Sequence, residues 1–209
     1  MMKPAIWVLV LASLASWAVC GAGTLVAQPS NAVNAPSQLD VRGYVNVPGR
    51  KVPYLIRHLP VSSFPELPVA MQTELNRRGC LIPQTYEAHR PENVLRGSFE
   101  KAGSADWAVL CSAEGAVTLL VFFASDPAKP AVVASSREAE RLQPHDLTGV
   151  MGFNWAIDVE TPAQVHEAQI GMEPRPRKLD HDAVGDSVVE HKVVYRYYAG
   201  GAWVVIQTE

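Results

Sequence analysis

Apolar residues in this chain fall into short runs that alternate or stand continuous, broken by glycine and proline. Residues 41–47 and 52–59 alternate weakly on either side of Pro48-Gly49, the spacing of an N-terminal hairpin or of plain extended chain. Leu67, Met71 and Leu75 then recur at helical spacing. Pro68 starts that segment, Arg77 and Arg78 occupy its last turn, and Gly79 ends it, so a short amphipathic helix is predicted. A second short helix is predicted where Thr161, Pro162 and Gln164 supply a cap, a first-turn proline and a capping glutamine, with Gly171 as its stop. Residues 138–142 add a turn. Strand signals are denser: 107–111 and 116–124 flank Ala113-Glu114-Gly115, and 187–198 and 202–207 flank Ala199-Gly200-Gly201, so each pair reads as a hairpin. Residues 117–123 are apolar on both faces and belong to a central strand. Together these elements predict one α+β domain over residues 40–209: an antiparallel sheet of hairpins with two short helices on it or at its edge.

The N-terminal residues break this pattern. No charged residue occurs from Pro4 to Leu39, although charges are spread along the rest of the 209-residue chain. Lys3 precedes an apolar run over residues 5–19, the form of an export signal, and Gly21, Ala22, Gly23 and Ala27 offer cleavage sites. Extended to residue 27, the run is also long enough for an uncleaved anchor across a hydrocarbon layer of ~30 Å. Residues 1–27 are therefore expected to be a signal peptide or anchor. Val19 stands before Cys20 where a lipoprotein signal wants a small residue. Residues 28–39 are small and polar with two prolines and read as a linker. The expected location is exported, periplasmic or extracellular, with membrane contact only through the N-terminal segment.

Composition narrows the function classes. Apolar residues make up 48% and charged residues 19%, with a net charge of −3, an ordinary globular surface. Basic clusters interleaved with aromatics are absent, so nucleic acid is not an expected partner. An envelope protein or a glycan fits the compartment better.

Cys80 and Cys111 make an even pair in a chain routed to an oxidising compartment, where a disulfide persists; two buried thiols, or one cysteine as a nucleophile, are the other readings. Asp180, Asp182 and Asp186 lie close together with oxygen ligands of the kind calcium takes, but Lys178 opposes a cation there. The expectation is that these carboxylates diverge and shape a turn, at least one accepting a backbone N–H before Ser187. No cofactor motif and no catalytic constellation appear, and the six histidines, His89 and His181 among them, read as surface residues. Trp107, Trp155 and Trp203 read as core rather than as a binding face.

Placing Asp106 on Asp186, an offset of 80, aligns an apolar residue, a polar loop, an aspartate and an apolar strand in two segments. Glu100, Gly103 and Asp106 in the first, and Asp180, Asp182, Gly185 and Asp186 in the second, resemble fragments of the integrin-alpha-like FG-GAP or VCBS repeat. That resemblance implies hairpin geometry and places the three aspartates of the second segment on calcium-ligand positions. The segments GCLIPQ, NVLRGSF and DWAVLCS are similar to those of a group of uncharacterised exported bacterial proteins, which implies export and a common fold. The expected function is a non-enzymatic exported binding or interaction protein; the alternative is an exported hydrolase whose His and Asp residues converge only in three dimensions.

Overall fold

The structure, a computed structural model, describes residues 39–144, 149–173, 178–189 and 192–206. Thirteen strands and two α-helices are found there. The hairpin at the N-terminus forms as β1 (Leu39–Val47) and β2 (Arg50–Pro60), joined through Gly49 at φ 82°. Gly43 is needed inside β1 because Tyr54 lies across it: a Cβ at that position would come within 2.7 Å of the phenol oxygen. The first helix, α1 (Val69–Arg77), buries Met71 and Leu75 as its spacing predicts. After it come β3 (Leu81–Gln84), β4 (Val94–Gly97), β5 (Asp106–Ala113), β6 (Ala116–Phe122) and β7 (Ala131–Arg137). A 3-10 turn over Glu138–Arg141 leads to β8 (Leu142–Pro144) and β9 (Met151–Phe153). The chain closes with β10 (Trp155–Glu160), α2 (Pro162–Glu167), β11 (Ala183–Val188), β12 (Lys192–Ala199) and β13 (Ala202–Ile206).

The α+β expectation of one hairpin sheet is corrected: the fold is β-rich, with two sheets and helices of only nine and six residues. A nine-stranded sheet runs β7-β6-β5-β3-β2-β9-β8, with β1 added to β2 and β4 to β5, and a four-stranded sheet runs β10-β11-β12-β13. All pairings are antiparallel except β2 with β9. The predicted strand over 187–198 is also corrected, because its residues divide between the end of β11 and β12 around a turn at Val189.

Alternation along each strand builds the layers. In β6, Leu120 and Phe122 point to the side of the large sheet covered by α1, where they meet Leu67, Met71 and Leu75. Val117, Leu119 and Val121 point the other way, into a core shared with Trp155 and Ile157 of β10 and Val184 of β11. Both faces of β6 are therefore buried, as a central strand requires. The far side of the small sheet carries Ala183, Tyr195 and Tyr197 against Val165 of α2. Thr161 and Gln164 cap α2 reciprocally, as the sequence predicts, although the helix stops at Glu167, short of Gly171.

Asn93 ties the two sheets together. It precedes β4 in the left-handed region at φ 68° and is 1% exposed. Its amide donates to the carbonyls of Pro83 (2.8 Å) and Trp155 (3.2 Å) and accepts from the N–H of Ile157 (3.1 Å), so one side chain joins β3 to the edge of β10.

Cys80 and Cys111 form a disulfide with Cα atoms 5.0 Å apart, linking the approach to β3 with β5 across 31 residues. Replacing both by alanine is expected to lower the unfolding free energy by about 3–4 kcal/mol through the entropy of the opened loop. Urea titration of the Cys80→Ala/Cys111→Ala variant checks this, and a loss under ~1 kcal/mol would contradict it.

Candidate functional site

Concavities open on the described surface, among them one at the β12–β13 turn and one along β10 and β11. The first lies beside the β12–β13 turn, where Gly200 and Gly201 adopt φ of 60° and 85°, the double left-handed geometry of a tight two-residue hairpin. The turn forms one side of a cleft of about 440 Å³ whose other walls include Asp180, Tyr198, Lys178 and Glu100. Beneath it, Tyr197 donates its hydroxyl to Asp180 Oδ1 at 2.8 Å, and His181 Nδ1 lies 2.6 Å from the same oxygen. His181 Nε2 faces the Tyr198 carbonyl at 2.9 Å. A carbonyl oxygen only accepts, so Nε2 carries a hydrogen and donates it there. The imidazole stacks on the Tyr197 ring with centroids 4.3 Å apart.

This arrangement fixes a carboxylate rather than arming a base. The Asp180 side chain is 83% exposed, while the His181 side chain that steadies it is 8% exposed. The Tyr197 hydroxyl first, and His181 second, hold the Asp180 carboxyl below the ordinary aspartate range, so it stands ionised at the cleft mouth. Both nitrogens of His181 are engaged within the protein, so neither is turned to the cleft. No serine, threonine or cysteine lines it among the described residues. Tyr198 completes the wall from an aromatic cluster, with its ring centroid 4.7 Å from Phe123 and 5.5 Å from Trp203.

The second concavity, a groove of about 930 Å³, runs between residues 85–95 and the β10–β11 strands. Arg57 braces its loop by donating to the carbonyls of Thr85, Tyr86 and Ala88. Glu92 is spent within the loop, accepting the Thr85 N–H at 2.6 Å. Asp158 faces the groove with its carboxyl pushed up, by burial first and by Glu92 second. His89 is exposed on the same loop. No described contact unites His89 with a carboxylate and a nucleophile.

The three aspartates singled out for calcium go to three different partners. Asp180 pairs with Tyr197 and His181. Asp182 accepts the N–H of Ser98 at 2.9 Å, a residue 84 positions upstream rather than one in the turn before Ser187. Asp186 turns between the sheets, 5% exposed, and takes both Nε and Nη2 of Arg196 at 2.7 and 2.6 Å. Among the described residues no group of three or more potential metal ligands converges. The residues that the offset of 80 superposes also sit differently. Asp106 opens β5 and organises its loop, accepting from the N–H groups of Glu100 and Ala124, whereas Asp186 lies mid-strand in an ion pair.

The surface reading of the histidines is corrected for two of them. His58 is 2% exposed and His181 is 8% exposed. His145 and His191 lie outside the described residues. Trp107 and Trp155 are core residues, at 7% and 0% exposure, while Trp203 is half-buried in the aromatic cluster. Sequence reasoning missed Tyr197 and Tyr198 as site residues. Their alternation on one strand was visible, but the placement of Asp180 over Tyr197 depends on the long return from α2. No family model, curated protein or solved structure matches the chain.

Proposed function

We propose that the protein is an exported, non-enzymatic binding protein whose cleft beside the β12–β13 turn takes a neutral glycan. The observation that carries this reading is Asp180, an exposed carboxylate fixed by two buried partners and set beside an aromatic wall. A fixed carboxylate accepts paired sugar hydroxyls, and an aromatic ring packs on the apolar C–H face of a pyranose. Asp180 and Glu100 against a single Lys178 disfavour acidic sugars by charge. Export is supported by the charge-free apolar N-terminus and by the disulfide, which lasts where thiols are oxidised. No helix among the described residues is long and apolar enough to cross a membrane. The engagement of both His181 nitrogens favours this reading over the hydrolase.

A printed array of neutral, acidic and amino-sugar oligosaccharides tests it. Retention of neutral structures is expected, with affinity reduced about tenfold or more in Asp180→Asn and in Tyr198→Ala, the loss of one charged hydrogen-bond acceptor or one stacking face. Retention of nothing, or retention indifferent to both substitutions, would remove the proposal.

A further inference from the structure

Charge is distributed unevenly along the chain. Residues 1–65 contain five basic residues, Lys3, Arg42, Arg50, Lys51 and Arg57, and one acid, Asp40, whereas the remainder contains 13 basic and 20 acidic residues. The fold gathers most of that positive charge on one hairpin. Arg42, Tyr44 and Asn46 alternate to the same side of β1, and the register sets Lys51 of β2 opposite Asn46 and Pro53 opposite Tyr44. Arg42, Tyr44 and Lys51 thus share one face of the ribbon, and Arg50 stands at its turn. The other face is committed inward, with Val52 buried and Val45 and Tyr54 packed on the core. Tyr44 is 73% exposed, a large aromatic placed among cations on a solvent-facing ribbon. Within the hairpin's residues, 39–60, the one acid is Asp40, paired with Arg42 at 3.1 Å; such an exposed pair holds Arg42 weakly.

We infer that this face of the β1–β2 hairpin docks on an anionic phospholipid surface. Two observations choose that occupant. The face carries cations flanking a tyrosine, and membrane surfaces recognise that combination: lysine and arginine meet anionic headgroups while the tyrosine ring sits at headgroup level. The chain preceding β1 is the second. The apolar run over residues 5–19, extended to 27, is followed by only eleven residues, 28–38, before Leu39, a reach of at most ~40 Å. A bilayer engaged by the apolar segment therefore lies within reach of Arg42, Tyr44 and Lys51. The inference rests on that N-terminal reading and is independent of the glycan cleft, which lies on other strands.

The full-length chain, with Asn46→Cys carrying a polarity-sensitive fluorophore in a Cys20→Ser background, provides the test. It is mixed with vesicles of phosphatidylcholine alone or of phosphatidylcholine with phosphatidylglycerol, and flotation and emission are read together. Flotation reports the N-terminal segment, and emission reports the hairpin. With anionic vesicles the chain is expected to float and its emission to shift to the blue. The shift should be reversed by high salt and absent with phosphatidylcholine alone. Arg42→Glu/Lys51→Glu, two exposed substitutions whose folding is checked by circular dichroism, should reduce the docked fraction by about fivefold per charge removed. A floating chain with the same emission on both vesicles overturns the inference, and so does failure to float with the anionic ones.

Discussion

Asn93→Ala is expected to lower the unfolding free energy by about 3–5 kcal/mol, among the largest losses open to any single polar side chain in this fold. The amide satisfies two buried carbonyls and one buried N–H, on Pro83, Trp155 and Ile157, and alanine leaves all three without it. Each orphaned backbone group costs about 1–3 kcal/mol where water does not reach it. Alanine would also inherit a φ of 68°, a conformation asparagine tolerates better than most residues. The loss compares with a total of about 5–15 kcal/mol for a domain of this kind. Asn93→Gly separates the two contributions, because glycine accepts the backbone angle and lacks only the amide. Urea titrations should place glycine slightly above alanine and both far below wild type. A loss below ~1 kcal/mol in both would mean that the sheets hold together without this bridge.

That bridge also marks where the sequence stops being legible. Local chemistry announced α1, the cap of α2 and the β5–β6 and β12–β13 hairpins, because each is fixed by neighbours a few residues apart, and at the N-terminal segment it allowed a hairpin beside plain extended chain. The disulfide was legible from the cysteine count together with the expected compartment. By contrast β3, β4, β8 and β9 are three or four residues long and contain Pro83, Gly97, Pro144 and Gly152, residues that suppress a strand signal. Longer strands template β3, which pairs with β2 and β5, β4, which pairs with β5, and β9, which pairs with β2, while β8 pairs with β9 at the sheet edge. β10 is different: Trp155, Ile157 and Val159 alternate with Ala156, Asp158 and Glu160, a readable pattern that adjoins the stronger capping signal of α2. Nothing local says that the chain makes a second sheet, which depends on which apolar faces remain uncovered after the first is complete. The candidate site fails to show for the same reason. Asp180, Tyr197 and Glu100 line one cleft only after β11 and β12 pair; the spacing of 17 residues corresponds to no motif, and the offset of 80 that sets Glu100 on Asp180 suggests a repeat rather than a shared cleft.

Glu138→Gln is expected to remove one acid-linked part of the stability, so that the gap between wild type and variant closes as pH falls. Glu138 opens the 3-10 turn after β7 and is 9% exposed. One of its carboxylate oxygens lies 2.7 Å from His58 Nε2 on β2 and also accepts the Ser112 hydroxyl on β5. Burial by itself would raise this carboxyl, but hydrogen bonds from His58 and Ser112, with the charge of the imidazole, outweigh it and hold the group below the ordinary glutamate value of 4.5. The sign follows from linkage. The unfolded chain binds the proton more readily than the folded one, so the contribution is complete above the unfolded value. It is lost as pH falls through the lowered folded value. Burial pushes the carboxyls of Asp158 and Glu160 up, so they act in the opposite sense, and only the difference between wild type and variant isolates Glu138. That difference should be greatest near neutrality and shrink on acidification. Glu138→Ala is the harsher change, expected to cost about 3–5 kcal/mol near neutrality, because it strips a buried imidazole and a buried hydroxyl of their common acceptor. Denaturant titrations of the three proteins across the acid range decide the matter. A constant gap between wild type and Glu138→Gln from neutrality to strong acid would show that the carboxylate contributes shape and hydrogen bonds here without its charge.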